Sequence, residues 1–340
     1  MPGPDSKPPL RPLRMEDVAR MAGVSLATVS RALRRPDSVS PDLRARVEQT
    51  AARLGYAPNP VAGSLAGTRS ALIGVVVPSL TNSFFATTLE CMATALEAGG
   101  YQLMIGHHDY DADREARIVA AFLSWNPAAM VVTGLEHSRQ TVAALSAAAC
   151  PVVEMWDYGP RPIDAMIGFR NAGAGEIAAR HLAGRGYKNV VFAGAMPDRD
   201  SRARARAEGF CKEFTALTGE HPKTFPLESR AAGQGAVALQ RILSEAPATQ
   251  AIAFSGDMLA AGALFEASRR GLRVPKDLAI LGYGDLEIAA QTNPPLCTIR
   301  PPGPAIGEAV GAHVLSRLRD PEADGRSLEL SPELVCRGSS

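Results

Sequence analysis

The chain has 340 residues, enough for one or two sizeable hydrophobic cores in addition to a small terminal domain. Its net charge is only +1 and 46% of its residues are hydrophobic, but no apolar run reaches the roughly eighteen residues of a membrane-spanning helix, so a membrane span is excluded. Five cysteines lie far apart without metal-ligand spacing, which indicates buried thiols and no metal site.

The first fourteen residues are rich in proline and have no apolar central stretch. This composition predicts a disordered arm, at 1–12, rather than a signal peptide. We therefore expect the protein in the cytoplasm.

Residues 15–33 predict two short helices joined by a tight turn. Apolar residues recur at helical spacing in both segments, Gly23 allows the turn, and the second segment runs to about Arg34. Ser25 stands at the N-cap position, where its hydroxyl can accept a backbone N–H of the second helix.

A third helix is expected after Ser40, with a proline at its first position and Gly55 at its end. Three helices with this turn match the helix-turn-helix, whose second helix enters the major groove of DNA. The outward side chains of that second helix would contact DNA: Ala27, Ser30, Arg31 and Arg34. An ordinary helical hairpin is the alternative.

A proline-marked connector follows Tyr56, and 61–66 is long enough for about one and a half helical turns. So short a helix is marginal in water unless DNA or a second copy packs against it. Leu65 would then be an apolar wedge between base steps in the minor groove. A flexible linker that contains a leucine is the alternative.

The charge is concentrated where these helices lie. Residues 1–69 hold eleven Lys/Arg and six Asp/Glu, a net charge of +5, although the whole chain carries +1. A basic end on a mildly acidic body is typical of a protein whose affinity for DNA phosphates falls with salt. A solvated basic surface would give the same count.

From about Leu13 to Arg337 the chain resembles the lac and galactose repressor family (LacI/GalR). Three stretches are similar to its headpiece and hinge: DVARMAGVSLATVSRAL, VSPDLRARVEQTAARLGYAPN and VAGSLAG. The resemblance implies a repressor rather than an enzyme. Such a repressor binds a palindromic operator in double-stranded DNA, responds to a small effector and needs no cofactor.

The resemblance also implies the roles of individual headpiece residues. Leu26, Ala27 and Arg31 would read bases, Thr28 and Ser30 would lie near phosphates, and Leu65 would be the hinge wedge. Because Leu26 and Ala27 are apolar where some members carry hydrogen-bonding residues, their readout would be methyl contact with thymine. The rest of the expected DNA surface is Arg14, Ser25, Arg34, Ser40, Tyr56 and Asn59.

From Ala71 onward, apolar runs of strand length alternate with amphipathic stretches. This alternation predicts two doubly wound parallel lobes with a cleft between them, an α/β core like that of periplasmic binding proteins. The expected helices are 83–98, 112–125, 138–149, 171–185, 201–218, 232–245 and 257–270. The expected domains are a headpiece at 13–58, a hinge at 59–70, lobe 1 at about 71–169 and 299–328, and lobe 2 at about 170–298 and 329–340, with 297–302 crossing between lobes.

Ligands of such sheets bind beyond the carboxyl ends of the strands. The residues expected there are Thr81 to Phe85, His107 to Tyr110, Glu136, Asp157 and Asp257. Phe84 and Phe85 match a region where family members contact the effector, although packing into the core is equally open. Core packing is likewise the alternative for Trp156 beside Asp157.

The resemblance implies further effector contacts. Arg206, in RAEGF, matches an arginine that grips the effector with its planar guanidinium, and Asp257 matches an aspartate that accepts bonds from ligand hydroxyls. Arg202, one turn before Arg206, could converge on the same anion. A solvent-exposed ridge of arginines paired with Asp198 and Asp200 is the alternative.

Arg230 stands where some family members stack an aromatic ring, and an arginine there favours an anionic ligand. The hydroxyls of a polyhydroxy acid would then bind Asp257 and Asn82. The stretches VVVPSLTNSFFA, AFLSWNPAAMVVTG, PVVEMWD and IGFRN resemble the gluconate-operon repressors of the family. The resemblance therefore implies gluconate, or a close sugar acid, as an inducer.

Other readings remain open. The effector could be 6-phosphogluconate, 2-ketogluconate, a purine or a neutral sugar, and a sugar-binding protein would share the two-lobed fold. An enzyme is disfavoured, because no nucleophile elbow, P-loop or metal motif accompanies the histidines at 107 and 108. With only three residues after Arg337 there is no leucine-heptad tail for a tetramer, so we expect a homodimer.

Overall fold

The structure, a computed structural model, describes residues 13–34, 38–56, 70–81, 83–195, 198–322 and 327–340. The chain divides into two compact units, Met1–Thr68 and Arg69–Ser340. The first is a helical headpiece and the second a two-lobed α/β core, which confirms the predicted fold class. Several predicted features lie outside the described residues: the arm at 1–12, the hinge with Asn59 and Leu65, Asn82, and the side chain of Arg34.

Three helices form the described part of the first unit: α1 Met15–Ala22, α2 Leu26–Arg34 and α3 Pro41–Leu54. Val18, Val29 and Val47, one from each helix, are completely buried in a shared cluster. The apolar stripes of the sequence therefore form the core of this unit.

The ends of these helices follow the predicted residues in most respects. Gly23 and Gly55 adopt left-handed backbone conformations, with φ of 65° and 69°, where glycine is favoured. The Ser25 hydroxyl accepts the backbone N–H of Thr28 at 3.1 Å, which confirms it as the N-cap of α2. Ser40 is the N-cap residue of α3 and has an extended backbone, but its side chain makes no capping hydrogen bond.

Lobe 1 is built on a six-stranded parallel sheet. Its strands are β1 Leu72–Val77, β2 Gln102–His107, β3 Ala129–Thr133, β4 Val152–Met155, β5 Ala165–Gly168 and β11 Leu328–Glu329. The strand order is β11-β5-β4-β3-β1-β2.

Lobe 2 is built on a second six-stranded sheet. Its strands are β6 Val190–Ala195, β7 Lys223–Leu227, β8 Ala251–Phe254, β9 Ala279–Tyr283, β10 Cys297–Arg300 and β12 Glu333–Val335. The order is β12-β10-β9-β8-β6-β7, and only the β10–β12 pair is antiparallel.

Nine described helices accompany these sheets: α4 Ser83–Glu97, α5 Ala112–Leu123, α6 Arg139–Ser146, α7 Asn171–Gly184, α8 Ser201–Thr218, α9 Ala232–Glu245, α10 Asp257–Arg269, α11 Glu287–Gln291 and α12 Gly303–Arg319. Both faces of the lobe 1 sheet are covered. Val75 lies in one apolar cluster with Met92 of α4 and Val310 of α12, whereas its neighbour Val76 lies in another with Val119 of α5. Double coverage explains the continuous apolar strands of the sequence.

Seven helices begin and end within three residues of their predicted bounds, but several other elements differ from expectation. The 17-residue α12 and the five-residue α11 are absent from the predicted helices. β7 was not predicted as a strand; it contains Pro226 and lies at a sheet edge, where proline is tolerated. Residues 297–300, expected to cross between lobes, form β10 of lobe 2, and the crossing follows it.

The chain crosses between the lobes after β5, after β10 and between β11 and β12. Ion pairs join these crossings to each other and to lobe 2. Arg170 pairs with Glu329 at 3.2 Å, and Arg300 pairs with Asp285 at 2.6 Å and with Glu333 at 2.5 Å.

Only Cys297 of the five free cysteines is buried, and Cys336 is exposed. The other three are half-buried. The prediction of five buried thiols is therefore wrong.

A buried ionic network lies inside lobe 1. Nδ1 of His137 contacts the Glu115 carboxylate at 3.0 Å, and its Nε2 contacts the Gly134 carbonyl oxygen at 3.1 Å and a Glu154 oxygen at 3.6 Å. Because both ring nitrogens face acceptors, both donate, and the imidazole is a cation. Burial alone would lower the pKa of His137, but the two carboxylates outweigh it and raise the pKa to about 9.

The helices α9 and α10 of lobe 2 pack against each other through glycine. On α9, a Cβ added at Gly235 would overlap the Leu259 carbonyl of α10, whereas one added at Gly233 meets no atom within 4 Å. The backbones of α9 and α10 therefore approach too closely for any side chain at Gly235.

We expect Gly235→Ala to lower the free energy of unfolding by about 1–3 kcal/mol, because the helices must move apart. Gly233→Ala, on the same helix, is the matched control and should be neutral or stabilising by up to about 1 kcal/mol. Denaturant unfolding followed by circular dichroism measures both. Equal effects of the two substitutions would contradict the close approach.

The His137 network predicts a pH-dependent stability. A histidine whose folded pKa is about 9 rather than 6.5 contributes fully below pH 6.5 and loses that contribution as the pH rises through 9. The stability difference between the native protein and His137→Gln should shrink by roughly 2–3 kcal/mol over this range. Parallel unfolding free energies of the two proteins from pH 6.5 to 9 would contradict the assignment.

Candidate functional site

The carboxyl-terminal ends of the strands of lobes 1 and 2 face each other across a cleft. Phe84, at the start of α4, packs edge-on against Tyr283 at the end of β9, with ring centroids 5.5 Å apart. Arg199, before α8, donates to the carbonyl of Asp109, after β2, at 2.7 Å. This is the edge at which parallel sheets bind ligands.

Three cavities lie in a row along this cleft. The middle one has a volume of about 420 Å³ and is lined by Phe84 and Tyr110 of lobe 1 and by Arg230 and Asp257 of lobe 2. Phe84 also borders a cavity of about 570 Å³ on the side of Arg300, and Tyr110 borders one of about 200 Å³ on the opposite side. The middle cavity is within the range of small-molecule sites.

The backbone is strained at several points of the cleft. Asp109, Tyr110, Trp156 and Asp285 all have positive φ, at 51°, 58°, 66° and 50°. All four follow the carboxyl ends of strands, and this conformation is costly for residues with a Cβ. Such strain is concentrated at functional sites.

Arg206, on α8 of lobe 2, is buried with only 8% of its surface exposed. One terminal nitrogen donates to the Asn171 side-chain oxygen at 2.6 Å, and the guanidinium lies over the Tyr283 ring at 4.2 Å. Its Nε is buried without a hydrogen-bond partner among the described protein groups. The predicted effector arginine therefore holds a buried charge with donor capacity to spare.

Arg202 is equally buried, but its guanidinium contacts both lobes. Its guanidinium donates to the Thr133 carbonyl at 3.3 Å and lies 3.7 Å from an Asp200 oxygen. A Cβ at Gly134, whose φ is 92°, would lie 2.5 Å from the Arg202 side chain. Only glycine therefore leaves room for this arginine, which does not lie on an exposed ridge.

Arg230 is paired across the mouth of the cleft. It donates to Asp200 at 2.6 Å, and its guanidinium lies over the Tyr110 ring at 4.6 Å. Asp200 also accepts the backbone N–H groups of Arg202 and Ala203 as the N-cap of α8. Arg230 therefore shares the Asp200 carboxylate with Arg202.

Asp257 is completely buried at the start of α10. One carboxylate oxygen accepts the Thr298 hydroxyl at 2.6 Å and the other accepts the backbone N–H of Leu286 at 2.7 Å. Burial outweighs these hydrogen bonds and raises the pKa of Asp257 to about 6. A ligand hydroxyl at this carboxylate would share oxygens that already serve Thr298 and Leu286.

The aromatic predictions separate into a cleft residue and two core residues. Phe84 lines the middle cavity, but Phe85 is 3% exposed and packs against Trp156, with ring centroids 5.1 Å apart. Trp156 is itself 3% exposed and donates its ring N–H to Thr88 at 3.2 Å. Phe85 is therefore a core residue, because its position on α4 turns it towards the lobe 1 cluster.

Asp157 lies beside the arginines. Its carboxylate accepts the Asn171 side-chain N–H at 3.3 Å and the backbone N–H of Tyr158 at 2.9 Å. Burial raises the pKa of Asp157, against the opposing effect of Arg202. Asn171 also donates to the Trp156 carbonyl, so it connects the end of β4 with Arg206.

Two residues of the site, Asn171 and Tyr283, were not predicted from the sequence, and a third, Asp200, was assigned only a surface role. Asn171 and Tyr283 hold Arg206, and Asp200 was expected only as a partner of surface arginines. The N-cap role of Asp200 could have been predicted from the sequence, since aspartate one residue before a helix is a typical N-cap. Nothing local marks the other two, because their partners are 35 and more residues away.

In the first unit, the predicted DNA residues form an exposed surface around α2. Leu26 is 45% exposed, unusual for a leucine, and Ala27 and Arg31 are exposed with it. Thr28 and Ser30 are half-buried, as is Tyr56. The remaining predicted DNA contacts among the described residues are all exposed: Arg14, Ser25 and Ser40.

Within the described ranges, no group of three or more His, Cys, Asp or Glu side chains is arranged to hold a metal ion. In those same ranges, no helix combines the length and apolar character needed to cross a membrane.

Residues 14–59 match the family model for bacterial regulatory proteins of the lacI family, and 179–340 match a periplasmic binding protein-like domain. The HTH-type transcriptional regulator GntR of Pseudomonas aeruginosa is 34% identical over 96% of this chain and 95% of its own. A transcriptional regulator structure from Silicibacter pomeroyi has a TM-score of 0.91 at 34% identity, covering 96% of this chain and 99% of the other. The structure of the lac repressor dimer bound to operator and the anti-inducer ONPF has a TM-score of 0.83 at 25% identity, covering 97% of this chain and 99% of the other.

These relatives are transcriptional regulators, which confirms that the chain is not an enzyme. The helix-turn-helix of the first unit and the two-lobed cleft of the second are the two parts that such a regulator needs. The chain belongs to the LacI family of bacterial regulatory proteins and is a DNA-binding transcriptional repressor.

Proposed function

We propose that the affinity of this repressor for its operator is controlled by a sugar acid, gluconate or a close relative, bound in the cleft as an inducer. The observation that carries the proposal is Arg206, a buried guanidinium whose Nε has no partner among the described protein groups. A ligand carboxylate would supply the missing acceptor, since guanidinium groups bind carboxylates through paired hydrogen bonds.

The neighbouring groups suit the rest of a polyhydroxy acid. Arg202 lies one helical turn before Arg206, and Arg230 lines the middle cavity. The carboxylates of Asp157 and Asp257 would accept bonds from ligand hydroxyls, as would Asn82. Phe84 would cover an apolar face of the ligand. The resemblance of four sequence stretches to gluconate-operon repressors favours gluconate within this class.

A second candidate keeps the repressor and changes the effector to 6-phosphogluconate, 2-ketogluconate, a purine or a neutral sugar. The pairing of Arg230 with Asp200 supports the purine or the neutral sugar among these, because it leaves the cleft with less positive charge than the sequence indicates. A sugar-binding protein without a DNA role would have no use for the helix-turn-helix.

We propose that two copies pair about a twofold axis and present two α2 helices to a palindromic operator, in the cytoplasm. Effector in the cleft would shift the lobes and lower operator affinity. The shift cannot exceed the difference in effector affinity between the two lobe arrangements, typically about 1–3 kcal/mol.

In the headpiece, we propose that Leu26, Ala27 and Arg31 contact bases and that Thr28 and Ser30 contact phosphates. Exposure of all three base-reading side chains supports this assignment. Leu65 would be the minor-groove wedge.

Arg31→Ala is expected to weaken operator binding by about 1–3 kcal/mol and to reduce discrimination against non-operator DNA. Arg53→Ala is the matched control, since Arg53 is an exposed arginine in the last turn of α3. Fluorescence anisotropy with operator and random duplexes at fixed salt measures both. Equal losses on the two duplexes would remove Arg31 from base readout.

Arg206→Ala should retain operator affinity but lose at least about tenfold in gluconate affinity, since a charge-assisted pair is removed. Lys212→Ala, which removes an exposed charge from the same helix, should behave like the native protein. Calorimetry with gluconate, 6-phosphogluconate, 2-ketogluconate and a purine, together with operator binding, tests the proposal. Native protein that binds only the purine would overturn the sugar-acid effector.

A further inference from the structure

His108 stands out among the buried polar groups of the cleft. It follows β2, is 9% exposed, and neither ring nitrogen has a hydrogen-bond partner among the described protein groups. Its Nε2 lies 4.0 Å from a Glu115 oxygen, beyond hydrogen-bond distance, because that carboxylate is turned to His137. Buried donors and acceptors left unsatisfied cost roughly 1–3 kcal/mol, so such a group indicates a partner that is not part of the chain.

The ring of His108 lines the cavity of about 200 Å³ at one end of the cleft. Lobe 1 contributes Thr133 and Glu115 to this cavity, and lobe 2 contributes Asp200 and Arg202. Tyr110 borders it and the middle cavity alike. A ligand beside Arg230 in the middle cavity can therefore reach His108 only by extending past Tyr110.

The charges around this small cavity already compensate one another. Arg202 lies 3.7 Å from Asp200, and Arg204 pairs with Glu136 at 3.2 Å. Arg199 lies 3.9 Å from Asp109. An additional phosphate would be repelled by the carboxylates of Glu115, Glu136 and Asp200, whereas a neutral hydroxyl group can donate a hydrogen bond to a carboxylate.

The surroundings of His108 favour its uncharged form. Burial lowers its pKa, Glu115 opposes this, and Arg202, His137 and Arg114 lower it further. A neutral imidazole has one N–H donor and one nitrogen acceptor. This matches a pair of neighbouring hydroxyl groups, each of which can donate or accept.

We propose that His108 is a specificity-determining residue that binds the terminal hydroxyls of an open-chain, unphosphorylated sugar acid in the cavity bordered by Tyr110. The inference rests on the proposed sugar-acid effector and narrows it. The carboxylate of the ligand lies beside Arg230 in the middle cavity, and its hydroxyl end extends past Tyr110 into the cavity lined by His108. Selection is thus for chain length and against a terminal phosphate.

The test is calorimetry with four-, five- and six-carbon sugar acids, threonate, xylonate and gluconate, and with 6-phosphogluconate. The native protein should bind gluconate most tightly and 6-phosphogluconate at least about tenfold more weakly. His108→Phe should lose about tenfold in gluconate affinity but stay within about twofold for threonate, which does not reach the ring. His108→Gln, which keeps a donor and an acceptor, should recover part of the loss.

His107→Gln is the matched control, because the adjacent His107 ring contacts Arg114 at 3.1 Å and does not line this cavity. It should leave the whole affinity series unchanged, and all variants should keep native operator binding. A His108→Phe protein that loses affinity equally for every acid, or for none, overturns the assignment of His108 while leaving the effector class intact. Native protein that binds no sugar acid overturns the proposed effector, and this inference with it.

Discussion

The burial of two arginine side chains of α8, Arg202 and Arg206, is the constraint on which the cleft depends. A guanidinium removed from water needs acceptors, and the protein supplies them from elements far apart in sequence: the Thr133 carbonyl for Arg202 and the Asn171 side chain for Arg206. The φ of 92° at Gly134 and its missing Cβ leave room for one of them, and the Tyr283 ring supports the other. The relative position of the lobes is therefore coupled directly to the bonding of Arg202, and to that of Arg206 through the contacts of Asn171 with Trp156 and Asp157. Under the proposed function, an anionic ligand that offers these arginines better acceptors changes their hydrogen bonds and with them the preferred arrangement of the lobes.

Most of the fold could be predicted because its elements have simple periodicities. Strands buried on both faces are continuous apolar runs, and the amphipathic stretches between them mark seven helices closely. α12 could not be found in this way, since glycines at 303, 307 and 311 and a proline break the usual helical composition. Those glycines have a structural reason: a Cβ at Gly307 would overlap the backbone of Thr88 in α4. β7 was hidden by Pro226, and β11 and β12 are only two and three residues long.

The site was predictable only in part, because a motif gives residue types but not their partners. Resemblance singled out Arg206 and Asp257, and the structure brings both to the cleft. It could not indicate that Asp257 already serves Thr298 and Leu286, or that Arg230 is held by Asp200, since these contacts join segments dozens of residues apart. The buried ring nitrogens of His108, which have no hydrogen-bond partner among the described groups, could likewise be found only in the folded structure.

The central claim is that one equilibrium between lobe arrangements controls both effector and operator affinity. Thermodynamic linkage requires the effect to be reciprocal: operator DNA must weaken effector binding by the same factor by which the effector weakens operator binding. The most direct measurement is therefore the dissociation constant of gluconate with and without saturating operator, compared with that of operator with and without saturating gluconate. The account predicts equal factors, of roughly 5–150-fold. A gluconate affinity that is unchanged by saturating operator would contradict it.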